Sequence, residues 1–239
     1  MPVNNISANQ ARTVYASSGG SDLRGRAAAT NGNTINTGTS GLLIGYFYFT
    51  GGVYVNYRAF LNFDLSSISG TVTGVTLTLN RLTSQNFPQF FIVQSEAGDN
   101  LALTDYQDGI DGATGYPFDD DATKLIDSAH NPNDGGSAGD DITITLNSAA
   151  VTHANNVIGS GKFKMAIIYA HDFNDTYEAD DDGFSSGLAA QGVTFSSTDD
   201  SSSGNYPILN VTTADVVTPS GITLKGGTFT LKGGTLTIK

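Results

Sequence analysis

The chain has 239 residues, of which only 14% are charged, and it contains neither cysteine nor tryptophan. Without cysteine, a disulfide framework and a thiolate metal site are both excluded. The formal net charge is −12, and most of the acids lie between Glu96 and Asp200, so the field of the chain repels nucleic-acid phosphates and anionic lipid headgroups and we expect no nucleic-acid partner.

The N-terminus and the apolar runs bear on where the protein acts. Residues Met1 to Asn5 lack the basic start and apolar core of a secretory signal, and no run reaches the roughly 18 apolar residues of a membrane span. The abundance of hydroxyl and amide side chains is typical of virion and cell-surface β-proteins. We therefore expect an extracellular or virion-surface protein without membrane insertion, either trimmed of its signal or released by cell lysis.

Strand patterns dominate the chain from Leu42 onward. Leu42 to Phe49 is an aromatic run, and Val53 to Asp64 alternates between an apolar and a more polar face, which predicts a half-buried strand. Further strands are predicted over 71–82, 87–95, 142–146, 162–170, 193–197 and 207–211. Ser148 to Ile158 is the best helical segment. Short strands at this spacing indicate an all-β, jelly-roll-like β-sandwich.

Two acidic connections, Asp99 to Asp141 and His171 to Gln191, far exceed the usual loop length of about 4–6 residues. The second holds the densest group of oxygen ligands of the kind that calcium prefers: Asp172, Asn174, Asp175, Glu178, Asp180 and Asp182. Their spacing does not match an EF-hand loop. The alternative is a solvated acidic loop that needs no ion, so we predict no required cofactor, with calcium as the candidate cation.

The C-terminus carries a seven-residue repeat that begins at Ile222 and reads Ile-Thr-Leu-Lys-Gly-Gly-Thr in its first unit. Its apolar positions are equivalent from unit to unit: Ile222, Phe229 and Leu236, and Leu224, Leu231 and Ile238. One unit cannot bury its own apolar side. We predict a sandwich over 1–213 and a linker plus β-repeat tail over 214–239 that oligomerises or anchors the protein; the alternative is a flexible tail.

Three segments in chain order resemble one known family. They are Leu42 to Gly45, the run from Tyr57 to Ile68 that contains Arg58 and ends in Phe-Asp-Leu-Ser-Ser-Ile, and the last strand from Asn205 to Thr212. This set resembles DNRLRE-type, carbohydrate-binding-module-like β-sandwich domains of prokaryotic surface proteins and tailed-phage structural proteins. Because these are packing motifs, Arg58 and Asp64 are predicted to form ion pairs or to cap turns.

The sequence predicts no catalytic centre. The chain has three histidines, His130, His153 and His171, and no Gly-x-Ser-x-Gly elbow to set beside them. A general acid needs burial to raise its pKa, whereas the acids of this chain cluster in Gly- and Ser-rich loops that we expect to be wet. We therefore predict that the protein is not an enzyme.

The function that best fits these observations is that of a virion structural protein of a tailed phage, as a head decoration, head-fibre or tail-fibre component. Its partners would be other virion proteins and further copies of itself, with a trimer as one candidate assembly. One alternative is a carbohydrate-binding module of a secreted prokaryotic protein, with Tyr46, Tyr48 and Tyr54 as candidate contacts to host surface glycans. Another is a self-assembling surface-layer or filament subunit.

Overall fold

The computed structural model describes residues 1–19, 32, 34–36, 41–49, 53–85, 89–113, 116–118, 121–132, 138–175, 191–198 and 205–214. Strands dominate these ranges, and the prediction of an all-β, sandwich-like fold is confirmed. The strands are β1 (Val3–Ser7), β2 (Gln10–Gly19), β3 (Thr34–Asn36), β4 (Leu42–Phe49), β5 (Val53–Asp64), β6 (Thr71–Gln85), β7 (Phe90–Gln94), β8 (Asp141–Thr145), β9 (Lys162–Tyr169), β10 (Gln191–Phe195) and β11 (Ile208–Ala214). The described helices are α1 (Asp105–Asp108), α2 (Ser148–Val157) and α3 (Ala170–Asn174).

The described strands pair antiparallel and join through β6 into one connected sheet. The first part of β6 lies between β11 and β8, and β1 pairs with the other side of β11. The last part of β6 pairs with β10, which also pairs with β4. The remaining strands gather around β5, which pairs with β2, β4 and β9, while β3 lies beside β2 and β7 beside β9.

Strand β5 is the centre of the molecule, and every residue from Val55 to Phe63 is buried. Along one edge it pairs with β2, and along the other it pairs first with β4 and then with β9. The prediction of a half-buried strand is therefore wrong. The polar face is covered because the connection after β7 folds back over it and contributes Tyr106 and Phe118, both fully buried.

Helix α2 shows how the local sequence fixes a predicted element. The side chain of Asn147 accepts hydrogen bonds from the backbone N–H groups of Ala149 and Ala150, which satisfies donors that the first turn leaves free. Ala150 and Ala154 are fully buried, and their small side chains let the helix approach the sheet. The helix predicted over 148–158 is confirmed at Ser148–Val157. No helix in the described ranges is long and apolar enough to cross a membrane.

His153 on α2 is expected to make the stability of the fold depend on pH. Its ring packs against Phe163 in a tilted arrangement with 4.7 Å between centroids, and its Nε2 accepts a hydrogen bond from the backbone N–H of Lys164 at 3.3 Å. Burial lowers the pKa of His153 below its ordinary value of 6.5. The unfolded chain then binds this proton more readily than the folded protein, so the contribution of His153 is present above the ordinary pKa and is lost as the pH falls towards the folded-state pKa.

We expect the urea midpoint of the wild type to fall between pH 7.5 and pH 5, and His153→Gln to fall less because glutamine does not titrate. The quantity to compare is the fall in urea midpoint from pH 7.5 to pH 5 in each protein, because the substitution itself also changes packing and so shifts the midpoint at every pH. Identical losses in the two proteins would show that His153 does not contribute to the pH dependence.

Candidate functional site

The most polar part of the interior surrounds Arg58, in the middle of β5. The Nε and Nη2 groups of Arg58 donate hydrogen bonds to the two carboxylate oxygens of Asp172 at 2.6 and 2.7 Å, and both side chains are 0% exposed. The remaining Nη1 group donates to the backbone carbonyl of Tyr106 at 2.7 Å. Two parallel charge-assisted hydrogen bonds fix the relative orientation of a guanidinium and a carboxylate.

Two aromatic rings enclose the same guanidinium. The Cζ atom of Arg58 lies 3.9 Å from the ring centroid of Tyr106 and 4.6 Å from that of Phe118. The electron-rich face of an aromatic ring attracts a cation, and the attraction is stronger where water is excluded. The burial of Arg58 is thus compensated by one carboxylate, one carbonyl and two rings.

These partners come from distant parts of the chain. Asp172 lies in α3, directly after β9, while Tyr106 lies in α1 and Phe118 in the first acidic connection. Further contacts join the same segments: Asn56 Nδ2 donates to the Tyr106 hydroxyl at 2.6 Å, and the backbone N–H of Phe118 donates to the carbonyl of Phe173 at 3.3 Å. Both acidic connections are therefore attached to β5 through a single cluster.

The electrostatics of the cluster favour the charged form of Arg58. Burial opposes the charge of Arg58, but the adjacent carboxylate of Asp172 outweighs it and raises the pKa of the guanidinium. The hydroxyl of Tyr116 donates to Asp175 Oδ1 at 3.1 Å, and burial, followed by the charges of Asp172 and Asp175, raises the pKa of this phenol. Because neither side chain of the Arg58–Asp172 pair is exposed, the pair holds the fold together rather than presenting a surface to a ligand.

The prediction that Arg58 and Asp64 form ion pairs or cap turns is confirmed. Asp64 Oδ1 accepts a hydrogen bond from the backbone N–H of Ser66 at 2.9 Å, which closes the turn after β5. Hydrogen bonds from the side chain and then from the backbone of Ser66 lower the pKa of Asp64. The expectation that the acids all lie in wet loops is wrong for Asp172. The sequence predicted an ion pair for Arg58, but no sequence pattern identified Asp172 as the partner.

The six candidate calcium ligands divide into two groups. Asp172, Asn174 and Asp175 are described, whereas Glu178, Asp180 and Asp182 lie outside the described residues. In the described part of the chain, no group of three acidic or histidine side chains is placed to hold a metal ion. Calcium binding stays a prediction, and Asp172 would have to release Arg58 in order to contribute to it.

The register of β4 and β5 places the three tyrosines predicted to contact glycans at neighbouring positions of the sheet. Tyr48 pairs with Tyr54 and Tyr46 pairs with Asn56 across β4 and β5. Residues that pair directly across two antiparallel strands lie on the same face of the sheet, so the three tyrosine positions share the face that holds Asn56 and Arg58. The six predicted oligomerisation residues, Ile222, Leu224, Phe229, Leu231, Leu236 and Ile238, lie outside the described residues.

The structure also contains a surface groove that the sequence did not predict. The groove has a volume of about 320 Å³ and lies between the segment 126–130 and residues 143–145 of β8. Its polar lining consists of Asp127, Ser128, His130, Thr143 and Thr145. Asn147 joins the two walls, since its Nδ2 donates to Asp127 Oδ1 at 3.1 Å and its backbone N–H donates to the carbonyl of Leu125 at 2.9 Å.

Comparison with known proteins adds no identification. No family model and no curated protein matches the chain. The resemblance to DNRLRE-type domains therefore rests on the three sequence segments and stays a prediction.

The structural role of the buried pair can be tested by unfolding experiments. Arg58→Met leaves Asp172 as an unpaired buried charge, and we expect it to lower the free energy of unfolding by about 3–5 kcal/mol. The double variant Arg58→Met with Asp172→Leu should recover much of this loss, because no buried charge then remains. Urea denaturation gives all of these free energies.

The matched control is Lys162→Met, which breaks a partly exposed ion pair with Asp99 at 3.0 Å. An exposed pair is screened by water, so we expect this loss to stay below about 1 kcal/mol. Equal losses in Arg58→Met and Lys162→Met would contradict the role assigned to the buried pair.

Proposed function

We propose that the protein is a non-enzymatic structural component of a tailed-phage virion, which faces outward from the head or from a fibre and associates with copies of itself. The observation that carries the proposal is the seven-residue repeat that the sequence carries from Ile222 onward. The apolar core of the described residues runs from Ala8 to Val211, and the three-unit repeat begins after it, at Ile222. Because one repeat unit cannot bury its own apolar side, a tail of such units is suited to join one body to another.

The interior of the body supports the scaffold role. The two long acidic connections were the natural places to look for a binding or catalytic loop. Parts of both are attached to the centre of the fold, where Tyr106 and Asp172 contact Arg58. A domain whose loops are tied to its core keeps its shape, and a fixed shape is what a building unit of a particle requires.

Charge also favours association through the tail. The whole chain carries −12, and the repeat contributes three lysines, Lys225, Lys232 and Lys239, with no acid, so the residues before it carry −15. Opposite charges on body and tail attract each other and help to align two copies. Ions in solution screen such attraction between exposed groups.

The role of the tail can be tested by sedimentation velocity of the full chain and of a variant that lacks Ile222 to Lys239. We expect the full chain to form oligomers that weaken between 50 mM and 500 mM NaCl, and the shortened chain to be a monomer with an unchanged urea midpoint. A full chain that stays monomeric at all concentrations, or oligomers that survive the deletion, would overturn the proposal.

A second candidate function is the binding of glycans, and the register of β4 and β5 favours it. Tyr46, Tyr48 and Tyr54 occupy positions on one face of the sheet near the start of β5, before the covered Arg58, and aromatic side chains are common in sites for sugars. In this function the protein would attach a particle or a secreted prokaryotic protein to a polysaccharide surface.

A glycan array probed with the full chain, with and without a calcium chelator, tests this second function. We expect a bound glycan to be lost in Tyr48→Ala and retained in Tyr206→Ala, a tyrosine of the described surface that is not on β4 or β5. No signal for any glycan, or equal effects of the two substitutions, would exclude the tyrosine face as a sugar site.

A further inference from the structure

Strand β8 has an edge that no described strand covers. On one side it pairs with β6, from Thr76↔Thr145 to Asn80↔Asp141, and in the described ranges this is its one strand partner. Its side chains alternate, with Ile142 and Ile144 buried and Thr143 exposed. An uncovered strand edge presents backbone N–H and C=O groups that readily pair with another extended chain.

The groove beside β8 favours the binding of an extended segment that carries positive charge. The groove runs along residues 143–145, and its opposite wall is the segment 126–130. One acid, Asp127, lines the groove, and two more, Asp140 and Asp141, are exposed at the start of the same strand. An extended segment that carries lysine would therefore find both a strand edge and opposite charges there.

The repeat supplies segments of that kind. Each unit offers four residues of strand pattern that end in lysine, as in Ile-Thr-Leu-Lys at 222–225, and Gly-Gly-Thr separates these four residues from the next four. We propose that repeat units of one copy add as edge strands to β8 of another copy and lie in the groove between β8 and 126–130. This inference rests on the proposed self-association through the tail and names the surface that receives it.

The lengths favour binding between copies. Strand β8 has five residues, which is room for one unit of four, whereas the tail carries three units. A tail that docked on the β8 of its own body would leave two units that this strand cannot accommodate. Backbone pairing of an added strand supplies affinity, and the side chains on alternate positions supply specificity.

A charge in the groove should block the docking. Thr143→Lys places a cation on the exposed side of β8, where it repels the lysines of the tail, and we expect association of the full chain to weaken by about tenfold or more in sedimentation velocity. The matched control is Thr73→Lys, the same change at an exposed position of β6 outside the groove, which should alter association less than about twofold. Urea midpoints verify that both variants are folded.

Cross-linking tests the contact directly, because the chain has no cysteine of its own. One variant carries Thr145→Cys and the other carries Leu224→Cys, and a disulfide reports that two Cα atoms have come within about 7 Å. A mixture of the two under mild oxidation should give a mixed dimer. The same mixture with Thr73→Cys in place of Thr145→Cys should give little.

The outcomes distinguish docking at the β8 groove from self-association through the tail. If deletion of the tail abolishes the oligomer while Thr143→Lys and the cross-link have no effect, self-association stands and the β8 groove is excluded. A third variant carries both Thr145→Cys and Leu224→Cys in one chain. If this variant forms a disulfide within the chain while the mixture of single variants gives no mixed dimer, the tail covers its own body and docking between copies is excluded. If the full chain is a monomer, both proposals fail together.

Discussion

The burial of Arg58 constrains the rest of the structure. A guanidinium does not lose its proton in a protein, so Arg58 enters the core only if a carboxylate enters with it. That carboxylate, Asp172, is 114 residues away in sequence, and the Tyr106 carbonyl and ring complete the enclosure. None of these segments can leave without exposing the core or leaving a charge unpaired, so β5, α1 and α3 are expected to unfold as one unit.

The strands could be predicted where the alternation of apolar residues was regular, and β4, β5, β8 and β9 lie close to their predicted bounds. Strands β1 and β2 were missed, because Asn and Ser in Val3–Ser7 and Gln10–Gly19 resemble loop composition. The burial of β5 on both faces could not be predicted from the sequence, for a different reason. A polar residue that faces water and one that faces a buried partner give the same pattern, and the pattern holds no information about which polar residue is the partner.

The two candidate binding surfaces differ in how much the sequence reveals. The tyrosines of β4 and β5 belong to strands that follow one another in the chain and pair with each other, so local patterns are enough to group them. One wall of the groove is the segment 126–130, and the other is residues 143–145 of β8. The two walls are joined by the hydrogen bonds of Asn147 to Leu125 and Asp127. Thr143 and Thr145 looked like the solvent half of an ordinary strand, because what lies opposite them depends on the fold.

The position of β11 determines how the body would bear a pull on its tail. Strand β11 is the last described strand before the repeat, and it is held on both sides, by β1 and by β6. The hydrogen bonds of antiparallel ladders lie across the strand direction, so tension along β11 loads both ladders in shear and they must rupture together rather than peel apart one by one. A domain tethered in this way resists mechanical extraction far better than one hung from a free edge strand.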